Sequence, residues 1–341
     1  MFDQQSNSRA KTNRRQFLAQ SGAGLSLPLL GALPAPAYAD EASLAQAAKA
    51  EGRVTFYSVV PQAAAQGFID GFKKKYALDM DYQRLTSGPL VQRYVAELQA
   101  GTVTADALAV TDNFFFDDAA EKGWLAPVAD VPATAAYPAQ FRDRTSATVQ
   151  LLPHVLAYNT QAMSAAPTGW DTMADPKWKG RLILIDPRNG FFSSVWYYEL
   201  RRKYGNDFLK ALLKQEPTFV QSAVQGMQQL AAGAAALCGP SFPNLLLELK
   251  SKGAPVEIVA VEPTIAAGVY AGVPAKAPHP NAARLLMHYL MSPDGQALYN
   301  QGAVAPLGQL PGTLPLPKIA DADLKAARDA QKDIFAALGL S

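Results

Sequence analysis

Short polar loops follow the apolar runs of this 341-residue chain, and they carry the side chains best suited to holding a ligand. In the N-terminal half, Ser58 follows one run, "TSG" (86–88) a second and "TDN" (111–113) a third. In the C-terminal half, "DPRNG" (186–190) and "GPSFPN" (239–244) occupy equivalent places. Ligands of open α/β sheets bind at the carboxyl ends of the strands. The sequence therefore predicts a binding site assembled from these loops.

The candidate ligand-binding residues supply hydroxyl, amide, guanidinium and carboxylate groups, and they are Ser58, Arg84, Thr86, Ser87, Asp112, Asn113, Arg188, Asn189 and Ser241. Ser87 and Asn189, each followed by a glycine, stand where predicted helices begin, and helix starts favour anions through free N–H groups and the helix dipole. Arg84 adds a guanidinium that can form paired hydrogen bonds with a carboxylate or phosphate. We therefore expect a small organic anion. Asp112 and Asp186 could instead serve a cation, or simply bond the amides of their own turns.

The sequence lacks the compact motifs of several enzyme classes. It contains no G-x-S-x-G turn, no H-E-x-x-H helix and no G-x-x-x-x-G-K phosphate loop. His154, His279 and His288 lack metal-ligand spacing, and Asp117 with Asp118 fits a solvated helix face. We interpret the chain as a binding protein without catalytic residues, metal ligands or a cofactor. An exported hydrolase is the alternative, since active sites can combine residues far apart in sequence.

Two successive sets of strands and helices must position these loops. The segments "RVTFYSVV", "LDMDYQRL" and "ADALAVTD" predict strands, and helices between them carry stripes such as Phe68, Phe72 and Tyr76. The second of these helices has Ser87 as candidate N-cap and Gly101 at its end. The pattern restarts at "RLILID" and continues through "PTFV", "AALCG" and "PVEIVAVE". This alternation predicts an α/β fold of two lobes, each a mostly parallel sheet flanked by helices.

The segment "WDTMADPKWKG" (170–180) holds two of the four tryptophans. Asp171 and Asp175 favour local turns because their side chains bond nearby backbone N–H groups. Trp170 and Trp178 precede a buried strand and are interpreted as packing anchors. The segment is therefore expected to hold the "DPRNG" loop in place without touching the ligand.

Residues 1–39 read as an export signal. The stretch "TNRRQFLAQSGAG" resembles the twin-arginine signal, with Arg14 and Arg15 followed by a polar residue, Phe and Leu. A short apolar stretch broken by proline and glycine follows, too short to span a bilayer. Ala37 and Ala39 then predict cleavage before Asp40. The resemblance implies the twin-arginine export machinery as a partner of the precursor and the periplasm as the location.

Charge and cysteine content limit the partners of the mature chain. The formal net charge of +2 becomes −1 without residues 1–39, which hold four basic side chains and one acidic side chain. A near-neutral body gives no electrostatic footprint for nucleic acid. Cys238 is the only cysteine, so no disulfide forms within the chain. No cysteine stands at the predicted cleavage site to carry a lipid. We expect a freely diffusing monomer.

Four segments of the chain resemble the periplasmic substrate-binding proteins of ABC importers, in the cluster related to ferric-iron binders. They are "VTFYSVV" (54–60), "SGPLVQRYVAELQAG" (87–101), "LAYNT…WDTMADPKWKGRLILIDPRNG" (156–190) and "HPNAARLLMHYLMSPDGQ" (279–296). The resemblance implies the type II fold, with two lobes joined by two crossover strands and closing on a solute, and an inner-membrane ABC permease as partner. Lobe 1 is expected to comprise 45–150 plus 265–312, and lobe 2 155–260 plus 313–341.

Ferric iron or an iron chelate is the alternative cargo that the resemblance raises. The paired tyrosines of the iron binders fall in the segment corresponding to "CGPSFPN", which contains no tyrosine. Tyr197 and Tyr198 lie inside a predicted helix, where successive side chains point about 100° apart. The organic anion is therefore the favoured cargo.

Overall fold

The computed structural model describes residues 40–317 and 322–340. The strands are β1 (Arg53–Ser58), β2 (Asp79–Arg84), β3 (Ala107–Val110), β4 (Ala147–Pro153), β5 (Val155–Asn159), β6 (Leu182–Ile185), β7 (Thr218–Val220), β8 (Leu237–Ser241), β9 (Val256–Val259) and β10 (Ala266–Gly272). They form two five-stranded sheets in the orders β2-β1-β3-β10-β4 and β7-β6-β8-β5-β9. The expected two-lobed α/β architecture is therefore present. The expected signal segment, 1–39, lies outside the described residues.

Helices cover both sheets. They are α1 (Glu41–Glu51), α2 (Gln62–Tyr76), α3 (Ser87–Ala100), α4 (Asn113–Glu121), α5 (Phe191–Tyr204), α6 (Asp207–Lys214), α7 (Ala223–Ala231), α8 (Leu246–Ser251), α9 (Pro280–Met291), α10 (Pro293–Tyr299), α11 (Leu324–Asp329) and α12 (Gln331–Ala337). Helices α9 and α10 pack with α1 and α2 on the first sheet, and α11 and α12 pack against α5. In the described part of the chain, no helix is both long and apolar enough to cross a membrane.

Both sheets are mixed, which corrects the expectation of mostly parallel sheets. The pairs β2–β1, β1–β3, β7–β6 and β6–β8 are parallel, as predicted for strands linked by helices. Strands β10 and β5 pair antiparallel with both of their neighbours. The reason is that the chain changes sheets there: His154 alone separates β4 from β5, and the link from β9 to β10 returns it. These crossings match the two crossover strands expected from the resemblance.

Packing of the tryptophan-rich segment agrees with its predicted role. Trp170 has no exposed surface, meets Trp196 of α5 edge-on at 4.9 Å between ring centroids, and donates from Nε1 to the Pro263 carbonyl oxygen at 3.0 Å. Asp175 accepts a hydrogen bond from the backbone N–H of Lys177, as expected of a turn residue. The segment therefore packs against α5, the helix that follows the "DPRNG" loop.

Helix ends at the two sheets follow the sequence signals with one difference. Gly101 ends α3 with a positive φ of 70°, and Ser222 and Ser292 cap α7 and α10. Ser87, however, is the first helical residue of α3, and Thr86 is the N-cap. The Ser87 hydroxyl is drawn instead to the loop after β3, where it hydrogen-bonds Thr111.

Candidate functional site

A cavity of about 400 Å³ lies between the two sheets, beyond the carboxyl ends of their parallel strands. The first sheet contributes residues 59–61, 86–88 and 111–112, which follow β1, β2 and β3. The second sheet contributes 188–193 after β6, 221–224 after β7, and Phe242, Asn244 and Leu245 after β8. The predicted position of the site, at the strand ends of both lobes, is therefore where this cavity lies.

On the side of the first sheet, Arg84, Thr86 and Ser87 border the cavity. The side chain of Arg84 is exposed and forms no hydrogen bond or ion pair within the described ranges. Ser87 and Thr111 join their hydroxyls at 2.7 Å, which ties the start of α3 to the loop after β3. Helix α3 has no side-chain cap. Its first residues, Ser87 and Gly88, border the cavity together with Arg84, an arrangement that favours negative charge.

On the side of the second sheet, a short 3-10 turn, Pro187–Asn189, separates β6 from α5. Asp186 accepts from the backbone N–H of Arg188 at 2.9 Å and from its guanidinium at 2.7–3.1 Å. These hydrogen bonds with Arg188 lower the pKa of Asp186 against the opposing effect of burial. Arg188 therefore has its charge matched inside the turn. Asn189 and Gly190 border the cavity, and α5, which begins at Phe191, has no side-chain cap.

The two aspartates considered as cation ligands are both used by their own turns. Asp112 caps α4 by accepting from the Phe115 backbone N–H at 3.1 Å. Asp186 is held by Arg188 as described. The described residues contain no group of three or more His, Cys, Asp or Glu side chains arranged to hold a metal ion. Of these two carboxylates, Asp112 borders the cavity.

Three predicted site residues are not on the cavity wall. Ser58 is buried and joins its hydroxyl to that of Tyr299 at 3.0 Å, so it braces β1 against α10. Ser241 is buried at the end of β8, and Asn113 lies in the first turn of α4. In both, a side-chain oxygen has no hydrogen-bond partner within the described ranges. Their positions next to wall residues explain why the sequence pattern selected them.

The floor of the cavity was missed by sequence reasoning. Gln150, Leu152 and His154 all border it, and they alternate along β4 and the residue that follows. Because side chains two apart in a strand point to the same face, this spacing was the available signal. From the sequence, His154 was considered only as a metal ligand, for which it lacks the spacing. The floor is thus made by the very segment that joins the two sheets.

Aromatic side chains from the two sides meet beside the cavity. Phe114 of α4 contacts Phe191 of α5 edge-on, with ring centroids 5.1 Å apart. The guanidinium of Arg328 in α11 lies 3.9 Å from the centroid of the Phe114 ring. Since α11 packs against α5, Phe114 is held between two groups of the opposite side. The structure is therefore closed at this point.

The tyrosines considered for iron do not border the cavity. Tyr197 is fully buried in α5 and donates its hydroxyl to the Ile185 carbonyl oxygen at 2.9 Å. Tyr198 is half-buried and has Arg201 over its ring at 5.6 Å. Their helical position, predicted from sequence, is confirmed.

Solved structures with this fold bind different ligands. A substrate-binding protein of an ABC transporter from Agrobacterium tumefaciens matches with a TM-score of 0.70 and 18% identity, covering 84% of this chain and 94% of its own. The periplasmic binding protein AfuA from Actinobacillus pleuropneumoniae, with fructose-6-phosphate bound, matches with a TM-score of 0.70 and 20% identity. The match covers 85% of this chain and 99% of AfuA. Iron-bound HitA from Pseudomonas aeruginosa matches with a TM-score of 0.64 and 16% identity, over 83% of this chain and 99% of HitA. At these identities the likeness shows the fold.

Sequence comparison identifies the family directly. No curated protein matches this chain in sequence. A family model, described as bacterial extracellular solute-binding protein, matches residues 103–325. This span includes β3 to β10 and the cavity-lining residues from Thr111 onward. This chain belongs to the bacterial extracellular solute-binding proteins.

Proposed function

We propose that this protein is the periplasmic solute-binding component of an ABC importer and that its cargo is a small organic anion. The observation that carries the proposal is the pair of uncapped helix starts, α3 and α5, that border one cavity from opposite sheets. Arg84 adds a positive charge beside α3, whereas the charge of Arg188 is matched by Asp186. The fructose-6-phosphate bound to AfuA is an anion of suitable size for such a site.

Delivery follows from differential binding to two arrangements of the lobes. A ligand that contacts both sheets binds the closed form more tightly than the open form, so it shifts the equilibrium toward closure. The inner-membrane permease then recognises the closed, loaded monomer. The Agrobacterium structure with this fold is named as the substrate-binding protein of an ABC transporter. Binding and release leave the solute chemically unchanged, in contrast to the exported-hydrolase alternative.

Export by the twin-arginine machinery would place the protein in the periplasm. The proposal is supported by Arg14 and Arg15 and by the small residues before Asp40. Asp40 caps α1 by accepting from the Ser43 backbone N–H at 2.8 Å, so cleavage before Asp40 would leave the folded body whole. A double variant, Arg14→Lys with Arg15→Lys, should accumulate as precursor in the cytoplasm; normal export of that variant would contradict the pathway.

The experiment that tests the anion proposal is a thermal-shift screen followed by calorimetry. The screen covers phosphates, phosphonates, carboxylates, polyamines and sugars, since a ligand at 100 times its Kd stabilises the folded protein by about 2.7 kcal/mol. For an anionic hit, Arg84→Ala should weaken binding by about 1.5–3 kcal/mol, the value of a lost charged hydrogen bond.

Arg53→Ala is the matched control for that variant. Arg53 is exposed and stands at the first residue of β1, at the opposite end of the sheet from the cavity. It should leave the affinity unchanged. A polyamine hit, or an Arg84→Ala variant that binds the anion as tightly as the wild type, would show that the proposal is wrong.

Ferric iron is the second candidate, because iron-bound HitA shares the fold. Iron bound through tyrosinate oxygens absorbs visible light. Tyr197 is committed to the Ile185 carbonyl oxygen, and no tyrosine is among the residues that border the described cavity. We therefore expect no visible band when the protein is mixed with ferric citrate. A band that disappears in Tyr197→Phe or Tyr198→Phe would favour iron instead.

A further inference from the structure

Two polar atoms at the cavity floor have no hydrogen-bond partner within the described ranges: Oε1 of Gln150 and Nε2 of His154. Gln150 is 1% exposed and His154 is 0% exposed, yet both residues border the cavity. Leu152 lies between them on the same face of β4. Buried polar atoms without a partner are rare in folded proteins, and each calls for an explanation.

His154 presents a hydrogen-bond acceptor at this floor. Its Nδ1 lies 3.3 Å from the Ile265 carbonyl oxygen, and because a carbonyl only accepts, Nδ1 carries the hydrogen. Burial lowers the pKa of His154 to about 4, so the ring is neutral near pH 7. A neutral ring with hydrogen on Nδ1 has a lone pair on Nε2. The ring is also held in place by Phe242, with centroids 5.1 Å apart.

Gln150 presents a second acceptor. Its side-chain Nε2 donates to the Tyr299 carbonyl oxygen at 3.2 Å, which orients the amide and leaves Oε1 as the unpaired atom. Tyr299 belongs to α10, which packs on β4. The orientation of the acceptor is therefore set by the body of the first lobe.

The charges around the floor decide which donor suits these acceptors. Asp112 is the acidic residue among the described residues that border the cavity, and its carboxylate caps α4. An ammonium group brought to the floor would lose its hydration without a carboxylate to compensate for it. A neutral hydroxyl loses far less hydration and can donate to Nε2 or Oε1. The floor therefore favours a hydroxyl group.

We propose that His154 and Gln150 determine specificity, and that the cargo is an organic anion that also carries at least one hydroxyl group. The inference rests on the proposed function for the anionic group and adds the requirement for a donor. In the closed structure both floor residues are buried, so a ligand reaches them while the lobes are apart. When the lobes close over a ligand without a hydroxyl, the acceptors are left unpaired, and binding is weakened.

The experiment compares pairs of anions that differ by one hydroxyl group, with calorimetry as the measurement. The pairs are glycolate and acetate, lactate and propionate, hydroxymethylphosphonate and methylphosphonate, and glycerol 3-phosphate and propyl phosphate. In every pair that binds, the hydroxylated member should bind about tenfold tighter or more, as for one satisfied buried acceptor. His154→Phe keeps the ring volume but lacks the acceptor, so it should lose much of the preference, with the remainder due to Gln150.

Three further variants sharpen the result. His154→Gln, which retains an acceptor, should recover part of the preference. Gln150→Leu should also reduce the preference, and it serves if His154→Phe fails to fold. Leu151→Met, on the opposite face of β4 and outside the cavity wall, should keep the preference of the wild type. Equal affinities within the pairs that bind, or an unchanged preference in both His154→Phe and Gln150→Leu, would overturn the proposal.

Neutral polyols separate this inference from the proposed function. Glycerol, erythritol and sorbitol carry hydroxyl groups but no charge. Anions that bind without a hydroxyl preference would refute the role of the floor and leave the anion proposal standing. Polyols that bind in a manner dependent on His154, with no anion bound, would refute the anion proposal and support the floor. Binding of neither class would overturn both.

Discussion

At the residue scale, side chains of one type have different roles because of their neighbours. Arg84 and Arg188 both border the cavity, but Arg188 is held by Asp186 through several hydrogen bonds and Arg84 is not paired within the described ranges. Ser58 ends β1 and Ser87 follows β2, yet the Ser58 hydroxyl turns inward to Tyr299. The same polar residue is thus a ligand candidate or a structural brace according to the group that its side chain meets.

The pH dependence of stability should report on His154. The ordinary pKa of its ring is 6.5, and burial lowers it to about 4 in the folded protein. Above pH 6.5 the ring is neutral in both states and contributes nothing. Between pH 6.5 and 4 the unfolded chain takes up a proton that the folded protein does not, so stability falls. By pH 5 this loss should reach about 2 kcal/mol.

Urea unfolding of the wild type and His154→Gln at pH 7.5 and pH 5 measures this loss. Both proteins share every other titratable group, so the difference between their losses isolates His154. The wild type should lose about 2 kcal/mol more than the variant. An equal loss in the two proteins would mean that the folded protein admits the proton on His154.

At the element scale, the helices differ in how their starts are satisfied. Asp112, Ser222 and Ser292 cap α4, α7 and α10 with their side chains. Helices α3 and α5, both of 14 residues, have no such cap, and both start at the cavity. Free N–H groups at a helix start are satisfied by water or by a ligand. Helices α2, α6, α8, α9 and α12 also lack a side-chain cap. The missing cap together with their position on opposite sides of the cavity is what makes α3 and α5 the expected anion contacts.

Adding a methyl group at the start of α3 or α5 should weaken ligand binding without lowering the stability of the folded protein. A Cβ at Gly88 would meet nothing within 4 Å, and one at Gly190 would meet only the Ser193 hydroxyl at 4.0 Å. Gly190 has a φ of −175°, which any residue adopts. Gly88→Ala and Gly190→Ala should therefore fold normally. Each should weaken an anionic ligand by about tenfold or more, because the methyl group keeps the anion from the N–H groups.

Gly67→Ala is the control for these two variants. Gly67 lies in α2, and a Cβ there would have Leu298 at 3.9 Å, an ordinary contact distance. It should leave affinity unchanged in calorimetry. Unchanged anion affinity in both Gly88→Ala and Gly190→Ala would show that the helix starts do not hold the ligand.

At the scale of the whole molecule, a small aromatic contact joins the two sides. Phe114 from one side lies between Phe191 and Arg328 from the other. An edge-on aromatic pair contributes about 0.5–1.5 kcal/mol and a cation near a ring about 0.5–1 kcal/mol at exposed sites. These energies suit a contact that must form and break in each cycle of capture and release.

Phe114→Ala should shift the protein toward the open form. We expect ligand affinity to fall by about tenfold, because part of the closure energy is lost, with little change in the free energy of unfolding. Small-angle scattering of the unliganded variant should show a larger radius of gyration. Phe141→Ala is the control, since Phe141 is half-buried within the first lobe. A variant with wild-type affinity and radius would exclude Phe114 from closure.

The fold was largely predictable from local signals. Apolar runs such as "ADALAVTD" and stripes such as Phe68, Phe72 and Tyr76 are set by the periods of strands and helices, which any short window of sequence contains. The polar loops at strand ends, the turn aspartates and the caps Ser222 and Ser292 are equally local. For this reason the sequence alone predicted two α/β lobes and the end of each sheet at which the cavity lies.

The tertiary structure alone decided which of these loops border the cavity and what forms its floor. Ser58 turns inward because Tyr299, 241 residues away in sequence, places a hydroxyl beside it. His154 and Gln150 form the floor because β4 runs into β5 and passes from one sheet to the other. Such contacts depend on pairings between segments far apart in the chain, including β10 with β4 and β5 with β8. No local period of the sequence encodes these partners.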